Sequence, residues 1–124
     1  MNNITGSLED YLEAIYVLQQ NNGEVRITDI AQLLNISKPS VNKAVKVLKE
    51  SGLVIHEKYQ KISLTPEGEK IAKEVDFRHK ILMKFLIECL DINPKIAEQD
   101  ACRIEHVIST ESFQRLTSYL EKQI

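Results

Sequence analysis

The sequence contains no stretch approaching the roughly 20 consecutive apolar residues needed to span a bilayer. Its start, MNNITGSLEDY, also lacks the basic opening and apolar run of a signal peptide. These absences predict a cytoplasmic protein with no membrane partner. Cysteine is scarce: only Cys89 and Cys102 occur, both in predicted helices, and reduced thiols are the cytosolic default, so a structural disulfide is the weaker reading. Positive charge is not in excess either. The 16 Lys and Arg against 18 Asp and Glu leave a formal net charge of -2, so a role with nucleic acid would depend on where the cations sit. No internal repeat, low-complexity run or linker interrupts the chain. What is present is ordinary for a soluble protein, 124 residues with 43% hydrophobic and 27% charged. That suits one compact domain or a headpiece with a short helical appendage, and excludes disordered and fibrous classes.

Helical spacing is clear over 7–20, where Leu8, Leu12, Ile15, Tyr16 and Leu18 recur, with Ser7 as an expected N-cap and Asp10 three residues later. A turn at Asn22-Gly23 precedes a short helix, expected to be capped by Thr28, that carries Ile30, Ala31, Leu33 and Leu34. After the break at Asn35-Ile36-Ser37, Ser37 caps a third helix. Pro39 lies in its first turn, where a missing amide proton is harmless, and Gly52 stops it. Val41, Ala44, Val45 and Leu48 form its buried stripe. Two short helices joined by a tight turn outline a helix-turn-helix. LVIHEKYQKISL then reads as two β-branched strands around Tyr59-Gln60-Lys61, a hairpin wing. A long helix is predicted from Thr65-Pro66-Glu67 to about Leu90, another over 94–108, and a last one from Ser109-Thr110 to near Leu120. The fold class is therefore mainly α: a winged helix-turn-helix of three helices and a two-stranded wing over 1–65, then a helical region over 66–124.

Between Ser37 and Lys49 stand Lys38, Lys43, Lys46 and Lys49 and no acid, in a chain that is slightly acidic overall. Lys38, Ser40, Asn42, Lys43 and Lys46 lie off the apolar stripe and offer phosphate clamps and base-edge donors or acceptors suited to a major groove. Lysine-rich stretches are usually just solvated faces. Here the helix sits inside a complete helix-turn-helix-wing pattern whose wing also carries Lys58 and Lys61, which favours the DNA reading. The expected DNA-facing set is Thr28, Ser37, Lys38, Pro39, Ser40, Asn42, Lys43, Lys46, Lys58 and Lys61.

Cys102, Glu105 and His106 stand at i, i+3 and i+4, so a helix over them would present a thiolate, a carboxylate and an imidazole on one face. That trio suits Fe²⁺, Co²⁺, Ni²⁺ or Zn²⁺, while carboxylates keep Mn²⁺ in play. Asp10 and Glu13 share a face of the first helix, and His79 lies midway along the long one, a turn before Met83. Each residue has a bland alternative: Cys102 as a small core residue, His79 as a solvated imidazole, Asp10 as a helix-start acid stabilised by the dipole. Spacing alone does not choose between these readings.

The motifs choose more firmly. SLEDYLEAIYVL, LKESGLV, LTPEGEKIA, FRHKIL and DINPKIAEQDACRIEHVIS resemble the family of the diphtheria toxin repressor and the manganese transport regulator over nearly the whole chain. The resemblance implies a dimeric repressor, activated by iron or manganese, that binds palindromic operator DNA and controls metal-homeostasis genes. It places Cys102, Glu105 and His106 in the main metal site of the iron branch. Asp10 falls where that branch has methionine and the manganese branch aspartate. Glu13 and His79 match second-site ligands of the manganese branch. The set is a hybrid: the manganese branch has glutamate in place of Cys102, and the iron branch's ancillary glutamate and histidine are replaced by Met83 and Glu98. No contribution from the iron branch's small C-terminal β-barrel is expected, so Glu98 and Glu13 are the candidates to complete a second site. Fe²⁺ is the first expectation for the ion, with Mn²⁺, Co²⁺ and Zn²⁺ as alternatives.

Rival classes fare worse. An enzyme lacks support, because Cys102 and His106 have no oxyanion or substrate feature beside them; no small-molecule substrate is expected. A thiol-redox-responsive winged-helix regulator is the runner-up, and a purely structural zinc module comes third. A homodimer through the C-terminal half is expected, since Ile71, Val75, Leu82, Phe85, Leu86, Ile104, Val107, Phe113 and Leu116 exceed what thin helices bury alone.

Overall fold

The computed structural model describes residues 6–57 and 61–122, and its chain divides into two compact units, 1–73 and 74–124. In the first, α1 (Gly6–Asn22), α2 (Ile27–Leu34) and α3 (Lys38–Glu50) precede the strands β1 (Val54–His56) and β2 (Ile62–Leu64). Apolar spacing decides the packing. Leu12 and Ile15 of α1, Ile30 of α2, Val41, Val45 and Leu48 of α3, and Val54 and Ile62 of the strands close one buried cluster. The expected stripe of the third helix is the buried one.

Local chemistry sets the boundaries. Ser7 is not the first cap, because α1 already includes Gly6. Thr28 is not a cap either. Arg26 takes the N-cap position of α2, where Asp29 Oδ2 accepts from the Arg26 amide at 2.9 Å and its charge suits the helix start. Asn35 ends α2 in the left-handed region, φ 55°, a conformation asparagine tolerates. Ser37 caps α3 as expected, its Oγ accepting from the Ser40 amide at 3.3 Å. Gly52, at φ 76°, follows its end.

The strands are antiparallel, pairing Val54 with Leu64, Ile55 with Ser63 and His56 with Ile62. Tyr59 and Gln60, at the expected hairpin turn, lie outside the described residues. The outer edge of β2 is not left open: the Ile62 amide donates to the Val25 carbonyl at 2.7 Å and the Leu64 amide to Gln19 Oε1 at 3.2 Å. Thr65 then caps the next helix, Oγ1 accepting from the Gly68 amide at 3.1 Å. Gly68 is required there, because a Cβ would collide with the carbonyl oxygen of Leu53.

Helix α4 (Pro66–Lys84) continues into a π-helical turn over Phe85–Cys89, so the helical path reaches the vicinity of Leu90. Asn93 caps α5, accepting from the Lys95 amide at 2.8 Å. This helix spans Pro94–Ile104 and stops short of the expected 108. The amides of His106 and Val107 bond to the carbonyls three residues back, at 3.4 and 3.0 Å, which tightens the chain out of α geometry. Ser109 caps α6 (Thr110–Lys122) through the Ser112 amide at 3.0 Å. Edge-to-face ring pairs Phe77–Phe113 and Phe85–Tyr119 pack within this second unit, at centroid distances of 5.8 and 6.2 Å. Among the described residues, no helix is long and apolar enough to cross a membrane.

Candidate metal centre and DNA-facing helix

On the first unit, one side of α3 is buried and the other carries the cations. Ser37, Lys38, Pro39, Ser40, Asn42, Lys43 and Lys46 are all exposed, as are Thr28 and Lys61. Lys58 lies outside the described residues. Ser37 and Ser40 hydroxyls bond to one another at 2.9 Å at the start of the helix. Lys49 differs from the other lysines, because its Nζ donates to the His56 carbonyl at 2.7 Å and so ties α3 to β1. Asp10 and Glu13 belong to this unit too, half-buried and three residues apart on α1.

In the second unit, a charged side chain, Glu105, is buried beside apolar ones such as Leu82 and Ala101. His79 projects from α4 between two carboxylates: its Nδ1 lies 3.1 Å from Glu105 Oε2 and its Nε2 2.9 Å from Glu98 Oε2. The Glu105 side chain is 0% exposed. Among the described residues its Oε1 accepts no hydrogen bond, although His106 Nε2 approaches to 3.4 Å, an ion-pair distance. Hydrogen bonding to Glu105 raises the His79 pKa to about 9, against the opposing effect of burial and with further help from Glu98. Without a metal, an imidazolium therefore supplies positive charge between these carboxylates at neutral pH.

One spacing expectation needs correction. Cys102, Glu105 and His106 do not share a regular helix, because α5 ends at Ile104. Glu105 retains αR geometry and its amide bonds to the Ala101 carbonyl at 3.0 Å, so Cys102 and Glu105 keep their one-turn relation. His106 is carried on the tightened turn that follows. Cys102 is half-buried, and neither cysteine is in a disulfide. The structure thus gathers His79, Glu98, Glu105 and His106 in one place, with Cys102 one turn from Glu105.

This donor set fits a divalent cation. A fully buried carboxylate oxygen without a hydrogen-bond donor is costly in an apolar interior and is satisfied by a positive ligand. Carboxylate, imidazole and thiol together match first-row transition metals. Sequence reading overlooked Arg78, whose Nη1 donates to the Glu105 carbonyl at 3.0 Å and pins the turn that carries this carboxylate. Its position beside His79 in FRHKIL was the available signal. It also overlooked Gln19, and it counted Lys49 among the four lysines of this helix without assigning it a role, since neither partner is local enough for spacing to reveal.

Two family descriptions match the chain: iron dependent repressor, N-terminal DNA binding domain, over residues 3–62, and iron dependent repressor, metal binding and dimerisation domain, over residues 65–123. The chain is 40% identical over 117 residues to an HTH-type transcriptional regulator of Methanocaldococcus jannaschii, with 94% of each chain covered. It is 37% identical over 117 residues to the HTH-type transcriptional regulator MntR of Lysinibacillus sphaericus, covering 94% of this chain and 84% of that one. Among solved structures it resembles the manganese regulator SloR, with a TM-score of 0.83, 29% identity, and coverage of 92% of this chain and 53% of that one. It spans about half the length of that structure.

Proposed function

The chain belongs to the iron dependent repressor family, and from that premise we propose that it represses transcription in the cytoplasm by binding near-palindromic operators as a homodimer when loaded with Fe²⁺. It is a metal-dependent transcriptional regulator and not an enzyme. Residues 1–65 read DNA in this proposal, and 66–124 bind metal and dimerise. Asp10, Cys102, Glu105 and His106 form the main site; Glu13, His79 and Glu98 serve a second. The genes controlled are those of metal homeostasis. Mn²⁺, Co²⁺ and Zn²⁺ are the competing ions.

The observation that carries the reading is the buried, donor-poor Glu105 carboxylate with His79 and His106 beside it. A divalent cation there supplies the positive charge that this cluster of acids needs. Cys102, Glu105 and His106 of the second unit would hold it. At the second site His79 would bind as a neutral imidazole, with Glu98, 2.9 Å from its Nε2, supplying a carboxylate. Lys43 and Lys46 clamp phosphates, and Asn42 with the start of α3 faces base edges in the major groove. Metal and operator then reinforce each other's binding, as linkage requires.

The test is a set of DNA-binding titrations with Fe²⁺, Mn²⁺, Zn²⁺ and Co²⁺ under anaerobic, reducing conditions, paired with sedimentation. Tighter DNA binding by a dimer is expected, strongest with Fe²⁺. Equal affinity with metal and with chelator would reject the reading.

A further inference from the structure

The wing's second strand has two amides pointing away from β1. Residues two apart in a strand point their N–H groups to the same edge, so Ile62 and Leu64 together present the free edge of this small sheet. Ile62 is satisfied by the backbone of Val25 in an isolated bridge. Among the described residues Leu64 has no such backbone neighbour, and its part-buried amide donates to the side-chain oxygen of Gln19, 45 residues earlier, at 3.2 Å. A single side chain of α1 therefore does what a third strand would otherwise do at this position.

Gln19 shares its helix with Asp10 and Glu13. It lies nine residues beyond Asp10, and at about 100° per residue this places it on nearly the opposite side of α1. One rigid rod thus carries candidate ligands on one flank and the tether of β2 on the other. We propose that Gln19 is a positioning residue through which α1 sets the wing for DNA, so that fixing α1 through its acidic residues fixes β2 as well. This coupling rests on the metal reading above, whereas the tether itself does not. Glutamine suits the task because its oxygen accepts while its stem is long enough to reach an amide beyond the helix surface. An apolar side chain of similar size would leave the Leu64 amide without an acceptor and free the strand edge to shift.

The experiment uses the full chain with Gln19→Leu and Gln19→Glu. The probe is a fluorescein-labelled duplex enriched by the wild-type chain from a random-sequence pool, with Mn²⁺ as the metal. Gln19→Leu is expected to weaken DNA binding about tenfold through the unsatisfied amide. Mn²⁺ affinity and the salt slope of DNA binding should not change, because neither a ligand nor a phosphate contact is lost. Hydrogen exchange at Leu64 should accelerate. Gln19→Glu keeps an acceptor at the same reach and should restore both Leu64 protection and most of the affinity. Wild-type DNA affinity in Gln19→Leu, or loss in Gln19→Glu despite a protected Leu64, would overturn the assignment. If Gln19→Leu fails to fold, Gln19→Glu against Gln19→Lys, acceptor against donor, gives the same split in exchange and affinity. Should the wild type bind DNA equally with Mn²⁺ and with chelator, the metal reading falls, while the contrast between variants still decides for or against Gln19.

Discussion

The two units of the chain spend their interiors differently. In residues 1–73 the centre is apolar and closed, with Leu12, Ile15, Ile30, Val41 and Leu48 all fully buried. In residues 74–124 Val75, Leu82, Ala97 and Ala101 are buried too, but a charged residue, Glu105, is buried with them, and Phe77 and Val107 are 52% and 80% exposed. A closed core makes a reader whose shape is set by itself. A unit that buries a charge and exposes Phe77 and Val107 suits completion from outside, by a cation within and a second copy against its surface.

The largest effects should separate these designs. Leu48→Ala empties volume from the closed core and is expected to destabilise the chain by about 2–5 kcal/mol, seen as a lower midpoint in urea with or without metal. Glu105→Gln keeps an acceptor near His79 Nδ1 but removes the buried charge. It should abolish metal-activated DNA binding while moving the metal-free midpoint less than Leu48→Ala does. Equal loss of stability in both variants, with metal activation intact in Glu105→Gln, would erase the contrast.

Cys102 sharpens the second half of the comparison. Soft thiolate ligation favours Fe²⁺, Co²⁺ or Zn²⁺ over Mn²⁺, so a Co²⁺ adduct should show a sulfur-to-metal charge-transfer band. Cys102→Glu should lose the band and shift preference toward Mn²⁺, and Cys102→Ala should impair activation by every metal. Normal activation of Cys102→Ala would make this half-buried thiol a packing residue.

Much of this was legible in the sequence, for identifiable reasons. The stripe Val41, Ala44, Val45 and Leu48, the Ser37 cap and the Thr65-Pro66 start all rest on local rules, and all recur in the structure. Thr28 misled because a β-hydroxyl residue near a helix start looks like a cap, whereas Asp29 serves the Arg26 amide from inside the first turn. The helix over 94–108 misled because its apolar spacing continues through Val107 and Ile108, while the hydrogen bonds tighten after Ile104. The motif singled out His79 as a candidate, but its place between Glu98 and Glu105 depends on α4 and α5 meeting, and no local rule reports that. The Gln19 tether was hidden for the same reason.

A pH series probes the polar centre more gently. The folded, metal-free pKa of His79, about 9, stands above its ordinary 6.5. Its ion pairs therefore contribute stability in full below about pH 6.5, and that contribution fades as pH rises through about 9. His79→Gln should flatten the thermal midpoint across this window. Metal has to displace the same proton, so metal affinity should climb with pH over the same range and binding at neutral pH should release protons, measurable by calorimetry in buffers of different ionisation enthalpy. A pH-independent affinity would place His79 outside the site.

The smallest expected effects lie on the surface of the closed unit, where the four lysines of α3 look alike in sequence and differ in the fold. Lys43 and Lys46 are exposed and, among the described residues, make no bond to the scaffold that competes with DNA, whereas Lys49 spends its ammonium on the His56 carbonyl at 2.7 Å. Each phosphate contact contributes close to one counterion to the salt dependence, so Lys43→Ala or Lys46→Ala should reduce the log–log slope by about one unit and weaken DNA binding uniformly across sequences. Lys49→Ala should leave the slope unchanged, because the charge it removes neutralises no phosphate. A modest affinity loss is still expected from it, since α3 then holds β1 by one bond fewer, and Lys49→Gln should recover part of it by donating from an amide. Metal affinity should be indifferent to all three positions. The decisive measurement is the slope itself, taken by fluorescence anisotropy across a salt series: a drop for Lys49→Ala equal to that for Lys43→Ala would mean that Lys49 leaves the wing and reaches DNA, and the distinction drawn between these lysines would fail.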